Sequence, residues 1–338
     1  MQRPPFFGGR FCFCCMKKNR KSDWVAPAVL QNGLVIASHG RHCVVETDDG
    51  QRVICHPRGK KSQAVAGDRV LWQPSQDEGC IERIEPRRNL LYRQDEMRAK
   101  SFAANIDQAL ILLAAEPAFS EHQLARALIA CQAAGIAALI ALNKADLAAP
   151  FALAWQRLAP YRAMGCVVLP LVAAPKADAP DAITPAALAA AHLAGRATLV
   201  LGPSGAGKST LINALIPRAR AATGEISQAL GSGRHTTTAT TWYWLDAAHS
   251  GALIDSPGFQ EFGLRHIAPA QLAALMPDFA AHLGACRFYN CTHRHEPGCG
   301  VRAALREEND AIQGETGISA SRHRIYAELF DELSRQAW

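Results

Sequence analysis

The stretch "GPSGAGKST" at 202–210 matches the pattern G-x-x-x-x-G-K-[ST] through Gly202, Gly207, Lys208 and Ser209. It sits between a strand-like "ATLVLG" and a helix-like "KSTLINALI", the context in which backbone N–H groups and a helix start cradle phosphates. Pro203, Ser204, Gly205, Ala206 and Thr210 complete the loop. Lys208 is expected to reach the β- and γ-phosphates and Ser209 to ligate Mg²⁺. A second apolar run, "GALIDS", leads into "DSPG" at 255–258. Asp255 then falls on the Mg²⁺ side, and the Gly258 amide can sense the γ-phosphate.

"NKAD" at 143–146 ends another apolar run, "IAALIALN". A carboxylate at Asp146 accepts both N–H donors on the pairing edge of guanine, where adenine offers no such pair. Asn143 and the stem of Lys144 are expected to support the ring. The wrong base leaves buried polar groups unpaired, so GTP is predicted over ATP. Such a base-reading element ordinarily follows the phosphate loop, and here it precedes it. The order fits a nucleotide-binding fold cut ahead of its base-reading half with its old termini joined, a change tolerated when termini lie close together at the surface. The segment after DSPG then runs directly into the next domain, so γ-phosphate status is expected to reach residues 279–338.

Between these elements, "GSGRHTTT" at 231–238 has the composition of a loop that closes on nucleotide, with Thr236, Thr237 or Thr238 as a Mg²⁺ ligand. Where many GTPases carry a water-orienting Gln after DxxG, this chain has Phe259. His235, an imidazole that titrates near neutrality, is therefore the candidate catalytic group, and slow intrinsic turnover is expected.

A different chemistry is written in "CRFYNCTHRHEPGCG". Cys286, Cys291, His293 and Cys299 offer four soft ligands within fourteen positions, the donor set of a closed tetrahedral Zn²⁺ site with a structural role. His295 is a spare ligand.

These residues need elements to hold them. From Val25 to about Arg93 short β-type runs ("GLVIAS", "HCVVET", "RVICH", "DRVLWQ", "CIERIE") alternate with Gly, Asp and Pro punctuation, which predicts a small OB-type barrel, with an SH3-like barrel as the rival. Its basic connections, "PRGKK" and "EPRRN", suit nucleic acid. From "ANIDQ" onward strands alternate with helices, which predicts a parallel sheet covered on both faces. In "SEHQLARALIACQAAG" Ser120 and Gln123 form a candidate capping box and Gly135 a stop. The helix "SASRHRIYAELFDELSRQ" is expected to pack as core, with Arg322, His323 and Arg324 as possible RNA contacts. The expected division is a leader at 1–22, a barrel at 23–98, a permuted GTPase domain at 102–278 and a zinc-binding domain at 279–338.

At 338 residues the chain exceeds one hydrophobic core. The net charge is +6, and the first hundred residues hold 18 Lys and Arg against 11 Asp and Glu, a basic end that invites a polyanion. The apolar runs fall short of a membrane span. Eleven cysteines, odd in number, argue against a secreted disulfide framework and for a reducing cytoplasm. The leader has its lysines after its apolar stretch, the reverse of a secretory signal, and Met16 is a candidate start.

Taken together, "VAGDRV", "PRRNLLYR", "ANIDQ", NKAD, GPSGAGKST, GRHTTT, DSPGF and the Cys-Cys-His-Cys cluster resemble the RsgA/YjeQ family of circularly permuted GTPases over residues 25–335. The resemblance implies action in small ribosomal subunit maturation, binding to rRNA near the decoding centre, ribosome-stimulated GTP hydrolysis, and a catalytic role for His235; a monomer is expected. Relatives often back the guanine with a Ser-Ala type loop, where this chain has Val172, Ala173 and Ala174. The competing reading is an RNA-binding assembly protein that holds GTP only as a structural ligand.

Overall fold

A computed structural model describes residues 29–39, 42–59, 63–75, 78–95, 99–174, 179–217, 219, 240–256, 262–306 and 317–335. His235, Thr236, Thr237, Thr238, Gly258, Phe259 and the leader lie outside them.

Five strands, β1 (Gln31–His39), β2 (His42–Thr47), β3 (Arg52–Pro57), β4 (Arg69–Pro74) and β5 (Gly79–Ile84), run in the order β1-β2-β3-β5-β4, and β4 pairs back on β1. The β3–β5 pairing is parallel and the others antiparallel. This closed 1-2-3-5-4 order is the OB arrangement, and the SH3-like alternative falls. Alternate residues point inward, so Val35, Cys43, Val45, Cys55, Val70, Trp72 and Ile81 fill the interior.

The basic connection expected to meet nucleic acid is partly spent inside the protein. Arg87 makes a two-pronged bond to fully buried Asp68 (Nε–Oδ1 2.7 Å, Nη2–Oδ2 2.8 Å). Arg88 pairs with Asp107 at 2.7 Å and donates to the Asn105 carbonyl. The motifs "VAGDRV", "PRRN" and "ANIDQ" thus form one joint between the barrel and the second domain. A hairpin of β6 (Leu90–Gln94) and β7 (Ala99–Ala104) leads out of it as a separate two-stranded sheet.

The second domain carries β8 (Gln108–Ala114), β9 (Ala137–Asn143), β10 (Val167–Pro170), β11 (Ala197–Leu201), β12 (Thr240–Trp244) and β13 (Ala252–Asp255) in the order β10-β9-β8-β11-β13-β12. Five strands are parallel, but β12 runs antiparallel to β13, which corrects the expectation of a wholly parallel sheet. β12 also pairs with β1 (Ala37↔Thr241, Ser38↔Thr240), so barrel and sheet are continuous. Such long-range pairing leaves no local signature in sequence.

Successive residues of the parallel strands face opposite sides, as the pleat requires. Ile111, Leu113, Ile140 and Leu201 pack with α1 (Glu121–Ala133) through Leu124 and Ile129. Leu110, Leu112, Val200 and Leu253 pack on the other face with Leu211 and Ile212. Helix α1 begins as its sequence predicts: Ser120 Oγ accepts the Gln123 amide at 3.3 Å, and the Gly135 and Ile136 amides close its end on Gln132 and Cys131. Two shorter helices, α2 (Ala148–Arg157) and α3 (Ala159–Ala163), follow β9. The Ala-rich stretch holds α4 (Pro185–Leu188), capped by Thr184. Helix α5 (Lys208–Leu215) follows β11.

The last part contains α6 (Pro277–Ala280), α7 (Gly300–Ala303) and α8 (Ala320–Arg335). Ile325, Tyr326, Leu329 and Leu333 of α8 are buried in the core shared with α1, and Arg126 and His122 of α1 pair with Glu332 and Glu328. Helix α8 is core packing, as its amphipathic pattern predicts. Arg322 corrects the suggested RNA contact: it is 2% exposed and grips Asp278 with two bonds of 2.9 Å. His323 is likewise occupied, bonding the His293 carbonyl at 2.8 Å, and Arg324 alone of the three is exposed.

Candidate nucleotide site and metal centre

The phosphate loop leaves the end of β11 and turns into α5. Gly207 sits at φ +97°, a left-handed conformation open to glycine, and a Cβ there would lie 2.3 Å from Asn143 Nδ2. At Gly202 a Cβ would lie 2.2 Å from the Leu112 carbonyl oxygen. Glycine at these places lets the loop close against its neighbours. Ser204, Gly205, Ser209 and Thr210 are exposed at the loop. Lys208 folds back, donating to the Gly202 and Pro203 carbonyls at 2.7 and 2.9 Å. Burial lowers its pKa, and Asp255 opposes that shift.

Asp255 ends β13, directly beside Val200 of β11 in register. Burial lifts its carboxyl to about 6, against the pull of Lys208. A buried acid and the loop lysine therefore share one end of the sheet. That is where a phosphate-bound cation is held in P-loop proteins. Next to it, Ser256 Oγ donates to the Val200 carbonyl at 2.8 Å and locks the strand end.

Asn143 has a role that sequence reasoning did not identify. Its side chain is buried, donates from Nδ2 to the Ala206 carbonyl at 2.9 Å and accepts at Oδ1 from the Ala173 amide at 3.0 Å. One carboxamide thus ties the NKAD tetrapeptide to the phosphate loop and to the loop at 172–174. The distance between its partners in sequence hid it. Lys144, at φ +66°, bonds the Glu116 carbonyl, and Asp146 is left exposed at the loop.

The soft-ligand cluster assembles as its spacing predicts. The ligand atoms of Cys286, Cys291, His293 and Cys299 lie within 4.8 Å of one another. His293 Nδ1 stands 3.5 Å from the sulfurs of Cys286 and of Cys299. His295 is exposed and outside the cluster. Burial lowers the pKa of His293, favouring the neutral imidazole that ligates metal. Burial alone would raise the Cys286 thiol, but the Gly300 and Val301 amides at the start of α7 draw it below its ordinary value. The Arg302 amide donates to the Cys299 sulfur at 3.4 Å. This donor set can hold a metal ion.

Supports around the cluster come from elsewhere in the chain. Burial pushes the Glu296 carboxyl up, yet bonds from the Thr292 hydroxyl and amide and from the His295 amide hold it well below the usual carboxylate range. Tyr326 of α8 donates to the Thr292 carbonyl at 2.9 Å, and His323 braces the His293 carbonyl. The signal for Tyr326 and His323 was hidden in a helix that reads as simple amphipathic packing.

A phosphate loop after β11, an acid at the end of β13 and the NKAD loop after β9, earlier in the chain than both, define a circularly permuted P-loop GTPase. The chain belongs to the RsgA GTPase family, whose model matches residues 84–265. A protein of Variovorax paradoxus named small ribosomal subunit biogenesis GTPase RsgA is 66% identical over 94% of this chain and 97% of its own length. One of the same name from Ralstonia nicotianae is 49% identical over 90% and 93%. Among solved structures, YjeQ from Thermotoga maritima superposes with a TM-score of 0.66 at 25% identity, covering 90% of this chain and 99% of that one. YloQ, described as a circularly permuted GTPase, gives 0.62 at 23% identity, over 92% and 97%, a likeness of fold. No helix among the described residues is long and apolar enough to cross a membrane.

Proposed function

We propose that this GTPase acts late in maturation of the small ribosomal subunit, binds its rRNA, and hydrolyses GTP faster when the subunit is bound. The observation that carries the reading is the near end-to-end match to a relative named for that role, 66% identical across 97% of its length. The basic surplus in the first hundred residues supports a polyanionic partner for the barrel. The reading further takes the protein as a cytoplasmic monomer divided at about 98–102 and 278–279.

In the nucleotide site, Asp146 would accept the two guanine N–H donors while Asn143 holds the loop that presents it. The amides of residues 204–207 and the start of α5 would receive the phosphate oxygens. Lys208 would exchange its two carbonyl partners for phosphate, a swap that keeps its ammonium bonded throughout. Ser209, Asp255 and one of Thr236, Thr237 or Thr238 would hold Mg²⁺, which supplies charge neutralisation between the phosphates. The Gly258 amide would report the γ-phosphate, and His235 would orient the attacking water in place of the missing glutamine.

At the second centre the metal is read as Zn²⁺. Bonds of about 2.3 Å to sulfur and about 2.0 Å to nitrogen at a tetrahedral angle place S and N roughly 3.5 Å apart, and the two His293 separations are 3.5 Å. With four protein ligands the ion has no open position and a structural role.

Phosphate release from GTP, measured with and without mature small subunits and with ATP and large subunits as controls, tests the function. Acceleration by the small subunit alone is expected. No acceleration by either subunit would sink the ribosomal reading and leave a guanine-nucleotide hydrolase with another partner. The reading of GTP as a structural ligand requires His235→Ala to leave stimulated turnover intact, whereas a steep loss is expected.

A further inference from the structure

Tyr289 is fully exposed and Phe288 is 39% exposed, on the turn between two ligands of the metal centre. A ring that removes no area from water gains nothing from folding. The turn does not need the Tyr289 ring either. Cys286 and Cys291 anchor residues 287–290 at both ends, the Cys291 amide donates to the Phe288 carbonyl at 3.2 Å, and the Arg287 amide donates to the Gly298 carbonyl at 2.9 Å. The backbone bonds of the turn therefore hold Tyr289 outward, with its ordering cost already met in the free protein.

The surroundings select the kind of partner. Residues 282–306 contain four arginines, at 287, 294, 302 and 306, against one acid, Glu296, and Arg294 is paired with Asp331 of α8 at 2.8 Å, which leaves Arg287 and Arg302 as the exposed cations of this segment. That acid turns inward onto the amides of Thr292, Arg294 and His295. The Arg287 guanidinium lies 5.5 Å from the centre of the Phe288 ring, and the Arg302 side chain is exposed. An apolar peptide would require a contiguous apolar face, whereas here the two rings stand beside a guanidinium. An unpaired nucleotide matches that pattern: its base stacks on a ring and its phosphate meets a guanidinium.

Resting on the RNA-partner reading above, we infer that Tyr289, flanked by Phe288 and Arg287, is a stacking platform for an unpaired base of the small-subunit rRNA, a second contact remote in sequence from the barrel.

The test uses the full-length protein and its Tyr289→Ala and Tyr289→Phe variants, titrated at one fixed salt concentration with intact small subunits and with protein-free small-subunit rRNA. Removing the ring is expected to weaken binding to both on the order of tenfold, and Tyr289→Phe, which keeps it, to bind as the parent does. Metal content and melting temperature should stay unchanged, since the side chain is solvent-exposed. Equal binding by Tyr289→Ala and the parent overturns the inference. So does a loss confined to intact subunits, which would assign the platform to a ribosomal protein. A parent protein that binds neither probe sinks the ribosomal reading itself, a separate outcome from the loss of Tyr289 alone.

Discussion

The Asn143 carboxamide spends its donor on Ala206 and its acceptor on Ala173, so its loss frees two loops at once. Asn143→Ala should lower GTP affinity by at least tenfold, seen by titration with a fluorescent guanine nucleotide, because each unmade buried bond costs about 1–3 kcal/mol. Asp146→Asn should behave differently. An amide cannot accept two N–H donors but can donate to a carbonyl at C2, so GTP binding should fall while xanthosine triphosphate binding rises, and a variant with unchanged base preference would refute the base-reading role. Asp255 carries a pH signature. Its carboxyl is raised from 3.8 to about 6 by burial, so the nucleotide-free fold is favoured while the group is protonated. That advantage shrinks as pH climbs from about 4 and is gone above about 6, a change on the order of 3 kcal/mol. Urea unfolding of nucleotide-free protein at pH 5 and pH 7 should show the drop, and Asp255→Asn should flatten it.

Single elements explain how much was legible in the sequence. The five barrel strands were readable because period-2 alternation and turn residues are local signals, and the closing β4–β1 pairing follows once all inward faces must be covered. The phosphate-loop pattern, the NKAD tetrapeptide and the Cys-Cys-His-Cys set stood out because each is compact in sequence. Arg322 was not: its carboxylate partner, Asp278, stands 44 residues earlier on α6, and only the fold brings α6 under α8. Its guanidinium also lies 5.1 Å from the centre of the Tyr161 ring on α3. Arg322→Ala leaves Asp278 buried and unpaired, so unfolding should be easier by about 3–5 kcal/mol, while RNA affinity at a temperature where the variant is folded should be unchanged. Stripping the metal with a chelator should loosen the loop at 286–299 and lower the melting temperature, with recovery on adding Zn²⁺. A melting curve indifferent to the chelator would exclude a folding role for the ion.

At the scale of the whole molecule, the segments that follow residues 231–238 and 255–258 both end on the N-terminal part of the chain. Strand β12 pairs with β1, while the Gln94 amide of β6 donates to the Gly263 carbonyl at 3.0 Å and the Arg265 amide to the Gln94 carbonyl at 3.2 Å. The sequence order suggested that nucleotide status would pass forward to residues 279–338; the β12–β1 pairing ties the same part of the chain to the barrel, and the Gln94 bonds tie it to the β6–β7 hairpin. Hydrogen exchange in GTP and GDP states should therefore differ at 31–39 and 90–94 as well as beyond 279, and identical protection at 31–39 would remove the barrel route.

The shared strand has one more consequence. Because β12 sits between β13 and β1, a fragment trimmed of the barrel would carry Thr240–Trp244 as a bare sheet edge rich in aromatic side chains, the kind of surface that recruits a second chain. The nucleotide-binding half, expressed by itself, should self-associate, and restoring the barrel in trans should dissolve the aggregates.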